Sequence, residues 1–296
     1  MRNKIFMKKS FLKKLSRNEM NDRIFSVVGL LATLLGVGVF LVLLADVAMD
    51  GLKRLNWSFL TSFPSRNPFD AGILSAWVGT VWLMAVTGAI AIPLGIMAGI
   101  YLEEYGKRNK LAGFIEVNIA NLAGIPSIIY GLLGLGLFVR FLDLGRSVLA
   151  GGATLALLIL PIIILATREA LRAVPVSLRE ASFALGATKW QTLKYQILPA
   201  AFPGILTGII LAMSRAIGES APLIMIGALA YIAFLPQQLS DPFTALPIQI
   251  FNWVSRPQHE FAVNAAAGIL VLLFITLMMN GLAIWLRYRF EKKVRW

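Results

Sequence analysis

Apolar residues fall in six long runs, at approximately Phe25–Val47, Ile73–Leu102, Leu111–Val139, Val148–Thr167, Ala201–Leu235 and Phe261–Tyr288. An α-helix needs roughly 20 apolar residues to cross the hydrocarbon core of a bilayer, and each run meets that length. The pattern predicts an all-α, polytopic membrane protein with six transmembrane helices. The longer runs overshoot a straight span, which implies tilt, kinks or re-entrant ends. Pro93, Pro126, Pro161 and Pro222 lie inside runs, so kinks are expected there. Gly95 with Gly99, and Gly204 with Gly208, are spaced four apart, which puts each pair on one helical face. Such faces let helices approach closely, so these glycines predict bundle packing. The first run is too long for the apolar core of a cleaved signal peptide and reads as a retained first helix.

Composition agrees. Of 296 residues, 58% are apolar and 15% charged, too few polar side chains to cover a soluble domain of this length. There is no cysteine, which excludes disulfides and thiolate metal sites. A single histidine, His259, excludes a multi-histidine metal centre within the chain, and it is expected to be structural. A net charge of +13 would suggest nucleic acid in a soluble protein, but here the basic residues flank apolar runs. They speak for topology and against a nucleic-acid partner.

With six spans, the leading stretch 1–23, the loops after the second and fourth spans, and the trailing stretch share one side. That side holds 21 of the 28 basic residues, among them Lys107, Arg108, Lys110, Arg168, Arg172, Arg179, Lys189, Lys194, Lys292, Lys293 and Arg295. The positive-inside bias therefore predicts a basic cytoplasmic tail over 1–23, a membrane domain over 24–296, and both termini in the cytoplasm.

The loop between the fourth and fifth spans, residues 168–199, carries the clearest local signals. Ser177 followed by Glu180 reads as a capping box that starts a short helix, and Gly186 as its C-terminal stop. Thr188 followed by Gln191 reads as a second capping box, with Leu198-Pro199 closing the second helix. The prediction is a helix-turn-helix outside the bilayer, with Ala181, Ala184, Leu185, Trp190 and Leu193 on its faces. Exposed alanine and aromatic side chains suit docking into a partner's groove. The alternative is a hairpin packed on its own bundle.

Glu180-Ala181-Ser182, Gly186 and Leu198-Pro199 resemble the EAA loop of ABC importer permeases, in which E-A-A is followed by G and then I-x-L-P at this spacing. Ser182 replaces the third small residue, and Gln196 stands where isoleucine is usual. Further segments are similar to the phosphate permeases of the PstA type. They are Ala123 to Leu133, Arg179 to Trp190, Gly204 to Gly208, Ser214 to Leu223 with its Gly-Glu-Ser-Ala-Pro-Leu run, and Leu246 to Trp253. The resemblance spans roughly Gly72 to Arg287. It implies a type I ABC importer permease (MetI-like) fold in the inner membrane, with Glu180, Ala181, Ser182, Gly186, Leu198 and Pro199 coupling to an ATPase. The implied partners are a PstC-like permease, a PstB-like ATPase dimer and a PstS-like phosphate-binding protein, besides the membrane lipids.

Candidate chemistry is sparse. Arg215 and Glu219 are four apart, on one face of the fifth span. An arginine in a span costs about 2.5–3.5 kcal/mol unless paired or solvated. Its guanidinium suits phosphate oxygens, which accept two parallel hydrogen bonds. Arg215 either faces a translocation path, with Glu219 holding it, or forms a structural pair. Ser127 and Tyr130, beside Pro126, either line the path or bond locally to backbone. Glu103 and Glu104 end the second span and are expected to be solvated. Arg140, Asp143 and Arg146 are expected to form a solvated outer cluster. Phe251 and Trp253 are expected at headgroup depth. No G-x-x-x-x-G-K-[ST] loop and no catalytic constellation is present, so the chain is not expected to be an enzyme. It needs no cofactor of its own, since ATP and magnesium would be bound by a partner subunit. Sulfate, molybdate or phosphonate remain alternative cargoes, and a stand-alone channel or secondary carrier is the alternative class.

Overall fold

In the computed structural model the described residues are 2–106, 110–228 and 231–291, and every regular element among them is a helix. Lys107, Arg108, Lys292, Lys293 and Arg295, counted above toward topology, lie outside them. The chain divides into two compact units, Met1–Asp50 and Gly51–Trp296. The first is helix α1 (Arg2–Arg54) up to its last turn. From Glu19 on, this helix is long and apolar enough to cross a membrane. Its hydroxyl at Thr33 donates to the Gly29 carbonyl at 2.8 Å, so even this polar side chain is satisfied within the helix.

In the second unit, α2 (Trp57–Thr61) is followed by α3 (Leu74–Ile100), which runs on through a wide π turn, Tyr101–Tyr105. Then come α4 (Lys110–Ala123), α5 (Ser127–Gly134) with a π extension over Leu135–Phe141, and α6 (Val148–Arg172). Helices α7 (Val176–Ala184) and α8 (Lys189–Thr192) form a hairpin, and α8 passes through a π turn, Leu193–Ile197, into α9 (Leu198–Ile217). Helices α10 (Ala221–Ile226), α11 (Leu246–Val254) and α12 (His259–Glu291) complete the unit.

Helix α6 is the most buried span, and glycines on both neighbours let it be so. Gly95 and Gly99 of α3 lie against Ile163 and Thr167 of α6. Gly204 and Gly208 of α9 lie against Ala170 and Ala166 on another face of the same helix. Both small-residue faces thus serve packing, as expected. Around them Ala91, Ile159, Ile163, Ala212 and Ala216 form the central core. Pro93 and Pro161 sit inside continuous helices, whereas Pro126 marks a break.

The predicted third span is two helices, α4 and α5, bent by 108° at Gly124-Ile125-Pro126. The pair is nonetheless one net crossing. The ends of α3 and α6 meet through ion pairs between Glu103 and Arg168 and Arg172, so α4 starts on that face. Helix α6 begins about 38 Å away, at 1.5 Å per residue. There Val148 and Leu149 donate backbone N–H groups to Asp241 and Leu239. Among the described residues five helices are long enough to span, and six with this pair counted as one, in line with the six runs.

At the far end, the Arg54 guanidinium donates to Asn264 Oδ1 at 2.9 Å and to the Phe69 and Ala71 carbonyls. Trp253 does not face the headgroups. It is 1% exposed and its ring lies 5.9 Å from that of Phe59. The reason is register: Trp253 follows Leu246 by seven residues, on the buried face of α11, while Phe251 faces outward as expected. In the preceding loop the Asp241 carboxylate accepts from the Gln237 and Gln238 N–H groups at 2.8 and 2.9 Å. These bonds favour the charged form and hold its pKa below the usual carboxylate range.

Candidate functional site: the α7–α8 hairpin and the broken helices around Arg215

The hairpin forms as its turn chemistry dictates. Gly186, at φ +79°, takes the left-handed conformation that ends α7. Thr188 Oγ1 accepts from the Gln191 N–H, and the Gln191 side chain accepts from the Thr188 N–H, a complete capping box. Ser177 is not the cap of the first helix. That helix starts at Val176 behind Pro175, which makes no side-chain cap bond because its ring carries no acceptor. Nor does Leu198-Pro199 close the second helix. The π turn lets the Leu198 N–H bond the Leu193 carbonyl, and the widened turn accommodates the proline without breaking the rod.

Burial sorts the hairpin's residues. Glu180, Ala181, Ala184, Leu185, Gly186, Trp190 and Pro199 are exposed, and Leu198 is half-buried. Leu185 is 90% exposed at the tip, a large apolar side chain with nothing on it. Ser182 turns inward, and its hydroxyl meets that of Thr192 at 2.8 Å, tying α7 to the second helix. Leu193 is not on the outer face either. It packs with Leu171, Val174, Ile197, Ala201 and Ile205 between hairpin and bundle.

Beneath the hairpin lies a charge cluster that sequence reading placed in solvent. Glu103 and Glu104 are 1% and 8% exposed. Glu103 Oε2 accepts from Arg172 Nε at 2.8 Å and lies 3.7 Å from Arg168 Nε. Arg168, itself 4% exposed in its side chain, reaches Glu116 of α4 at 2.7 Å. Glu104 is paired with Arg179 of α7, and Lys189 of α8 donates to the Glu104 backbone carbonyl. Lys189 also stands 4.5 Å over the Tyr105 ring. Burial of these charges is tolerated because each carboxylate meets a guanidinium. The available signal was Arg168 and Arg172 four apart on one helical face, together with two adjacent acids at a span end.

The second group of candidates surrounds the end of α9. Arg215 Nε lies 3.4 Å from Glu219 Oε1, with the arginine side chain 42% and the glutamate 18% exposed. Helix α9 ends two residues beyond Arg215, and Gly218 precedes the short α10. Helix α10 packs on α5: a Cβ at Gly131 would come within 2.7 Å of Pro222 Cα. The structure therefore packs α5, which carries Ser127 and Tyr130, against α10, which Glu219 precedes by two residues. The Tyr130 hydroxyl donates to the Leu122 carbonyl at 2.8 Å, across the α4–α5 bend. Ser127 is half-buried in the first turn of α5. On the opposite face Arg140, Asp143 and Arg146 are exposed, as is His259. Among the described residues no cluster of three or more acids or histidines offers a metal site.

Similarity to known proteins covers the chain nearly end to end. Residues 91–296 match the family described as binding-protein-dependent transport system inner membrane component. The phosphate transport system permease protein PstA of Yersinia pestis is 35% identical over 294 residues, 99% of this chain and 98% of that protein. The probable ABC transporter permease protein YqgI of Bacillus subtilis (strain 168) is 31% identical over 272 residues, 87% of this chain and 90% of its own. Among solved structures, a bacterial ABC transporter involved in the import of the acidic polysaccharide alginate aligns with a TM-score of 0.62. It is 16% identical, over 88% of this chain and 95% of that one. An inward-facing form of the MetNI methionine ABC transporter aligns with a TM-score of 0.57 at 18% identity, over 72% and 94%. At these identities the structural matches speak for the fold.

Proposed function

Since the chain belongs to the family of binding-protein-dependent transport system inner membrane components, we propose that it is a permease subunit of an ATP-driven importer of inorganic phosphate, forming half of the translocation path. Its near full-length similarity to a PstA protein supports the cargo. In this reading a PstC-like permease supplies the other half and a PstS-like protein delivers phosphate from outside. A PstB-like ATPase dimer binds ATP and magnesium and docks on the α7–α8 hairpin through Glu180, Ala181, Leu185 and Trp190. Gly186 shapes the tip, Ser182 ties the two helices, and Leu198 and Pro199 join the hairpin to α9. The hairpin and both termini then face the cytoplasm.

The observation that carries the cargo assignment is Arg215. It is an arginine 42% exposed in an otherwise apolar span, beside two helix breaks whose freed backbone groups favour a polar pathway. Arg215 offers its planar donors to the phosphate oxygens. Glu219 orients it and, by competing for the same donors, keeps the anion from being held too tightly. Ser127 and Tyr130 belong to the same lining, with Tyr130 also holding the bend. Phosphate uptake by cells carrying Arg215→Gln tests this. The expected result is a fall of about tenfold or more with normal complex assembly. Near-normal uptake with stable assembly removes Arg215 from the pathway.

A further inference from the structure

The buried acids at the end of α3 divide their partners in a specific way. Adjacent residues point roughly 80–100° apart in α and π turns alike, so Glu103 and Glu104 face different neighbours. Glu103 is turned to α6, where Arg168 and Arg172 hold it, and Arg168 carries the connection on to Glu116 of α4. Glu104 is turned to the hairpin. Arg179 of α7 is bound to its carboxylate and also donates to the Leu171 carbonyl at 3.0 Å. Lys189 of α8 is bound to its backbone carbonyl. Each helix of the hairpin thus has one cation on the same residue of α3, from opposite sides of the Gly186 turn. Both acids sit in the π turn Tyr101–Tyr105, an irregular element at which α3 ends. Widened turns of this kind mark functional positions in helices more often than regular ones do.

We propose that Glu104, gripped by Arg179 and Lys189, is the latch that transmits displacement of the α7–α8 hairpin to α3. The claim rests on the reading that an ATPase subunit docks on the hairpin. The hairpin is already joined to α6 through residues 173–175 and to α9 through the π turn Leu193–Ile197, which carry its motion to those two spans. The latch carries it to a third span, α3, so that α3 moves with α6 and α9. Glu104, Arg179 and Lys189 are positioning residues and touch no cargo. Without the ion pair the hairpin still docks and hydrolysis still proceeds, but α3 no longer follows.

The test uses the whole transporter, this chain with its companion permease, ATPase and binding protein, reconstituted in proteoliposomes. Import and ATP hydrolysis are measured together for Glu104→Gln, Glu104→Asp and Arg179→Gln. The expected result for Glu104→Gln and Arg179→Gln is hydrolysis within about twofold of wild type, with import per ATP reduced about tenfold. Glu104→Asp, which keeps the charge, should recover part of the ratio. A merely structural role lowers import and hydrolysis in parallel, and that result overturns the proposal, as does an unchanged ratio. Should Glu104→Gln fail to assemble, Arg179→Gln decides, because its side chain lies nearer the surface at 17% exposure. Failure of both to assemble also assigns the pair to folding and refutes the latch. Failure of the underlying reading looks different: the wild-type chain would bind no ATPase, or hydrolysis would drive no import.

Discussion

Replacing Gly208 by alanine should destabilise the protein, by an amount the geometry sets. A Cβ at Gly208 would lie 2.2 Å from Ala166 Cβ. Carbon atoms rest at about 3.5–4.0 Å, so α9 and α6 would have to part by about 1.5 Å. The obstructing group is a methyl with no other rotamer to adopt. Helix α6 cannot simply shift away, since Ile163 and Thr167 on its other face are pressed against Gly95 and Gly99 of α3. Overpacking of this kind costs up to about 3 kcal/mol. Alanine's better helix propensity returns about 1 kcal/mol, leaving a net loss of about 1–2 kcal/mol. The companion change, Ala166→Gly, should cost about 1 kcal/mol alone. Together the two move one methyl from α6 to α9 and remove the collision, so the double variant should be nearly as stable as wild type. The coupling energy should be about 2–3 kcal/mol, in the upper part of the range for residues in contact. Reversible unfolding of the purified chain in detergent, followed by helical circular dichroism, reads all four corners of the cycle. Strictly additive single effects, or a Gly208→Ala variant as stable as wild type, would refute the close approach of α6 and α9 at this point.

Two further outcomes follow from local geometry. Gly186→Ala should destabilise the hairpin by about 1–2 kcal/mol from backbone strain alone, because the residue sits at φ +79° with nothing within 4 Å of a new Cβ. Gly186→Asn should recover much of that loss, and equal stability of all three proteins in thermal unfolding would contradict it. Asp241 has a folded-state pKa below its unfolded value, so its charged form contributes stability above the unfolded pKa, about 3.9. That contribution is lost as pH falls through the lower folded-state pKa. The difference in melting temperature between wild type and Asp241→Ala should therefore be steady above about pH 5 and shrink below pH 4. A difference that grows on acidification would contradict the two backbone bonds to its carboxylate.

How much of this was legible in the sequence depends on whether a feature is local. The six apolar runs, the glycine faces, the Gly186 stop and the Thr188–Gln191 capping box are all set by residues within a few positions of one another. The structure reproduces them. The break at Gly124-Ile125-Pro126 was legible as a kink, but not its 108° angle, which depends on how α5 packs against α10. Glu103 and Glu104 were misread as solvated because acids at a span end usually meet water. Their partners Arg172 and Arg179 come 69 and 75 positions later, in a loop whose cations were counted only for topology. Trp253 was misread for want of the helical register of α11, and Leu198-Pro199 because a π turn absorbs a proline that an α turn would not. For Arg215 and Glu219 the i, i+4 pairing was readable and is present. The packing of α10, which follows them, on α5, which carries Tyr130, is a product of tertiary structure.

The most direct measurement of the central claim is import of radiolabelled phosphate into proteoliposomes that hold this chain with its companion permease and ATPase subunits, with binding protein outside and ATP within. The account predicts uptake that requires both ATP and the binding protein and that falls when Leu185 at the hairpin tip is replaced by aspartate. Phosphate entry independent of ATP, or a complex in which the hairpin touches no nucleotide-hydrolysing subunit, would contradict it.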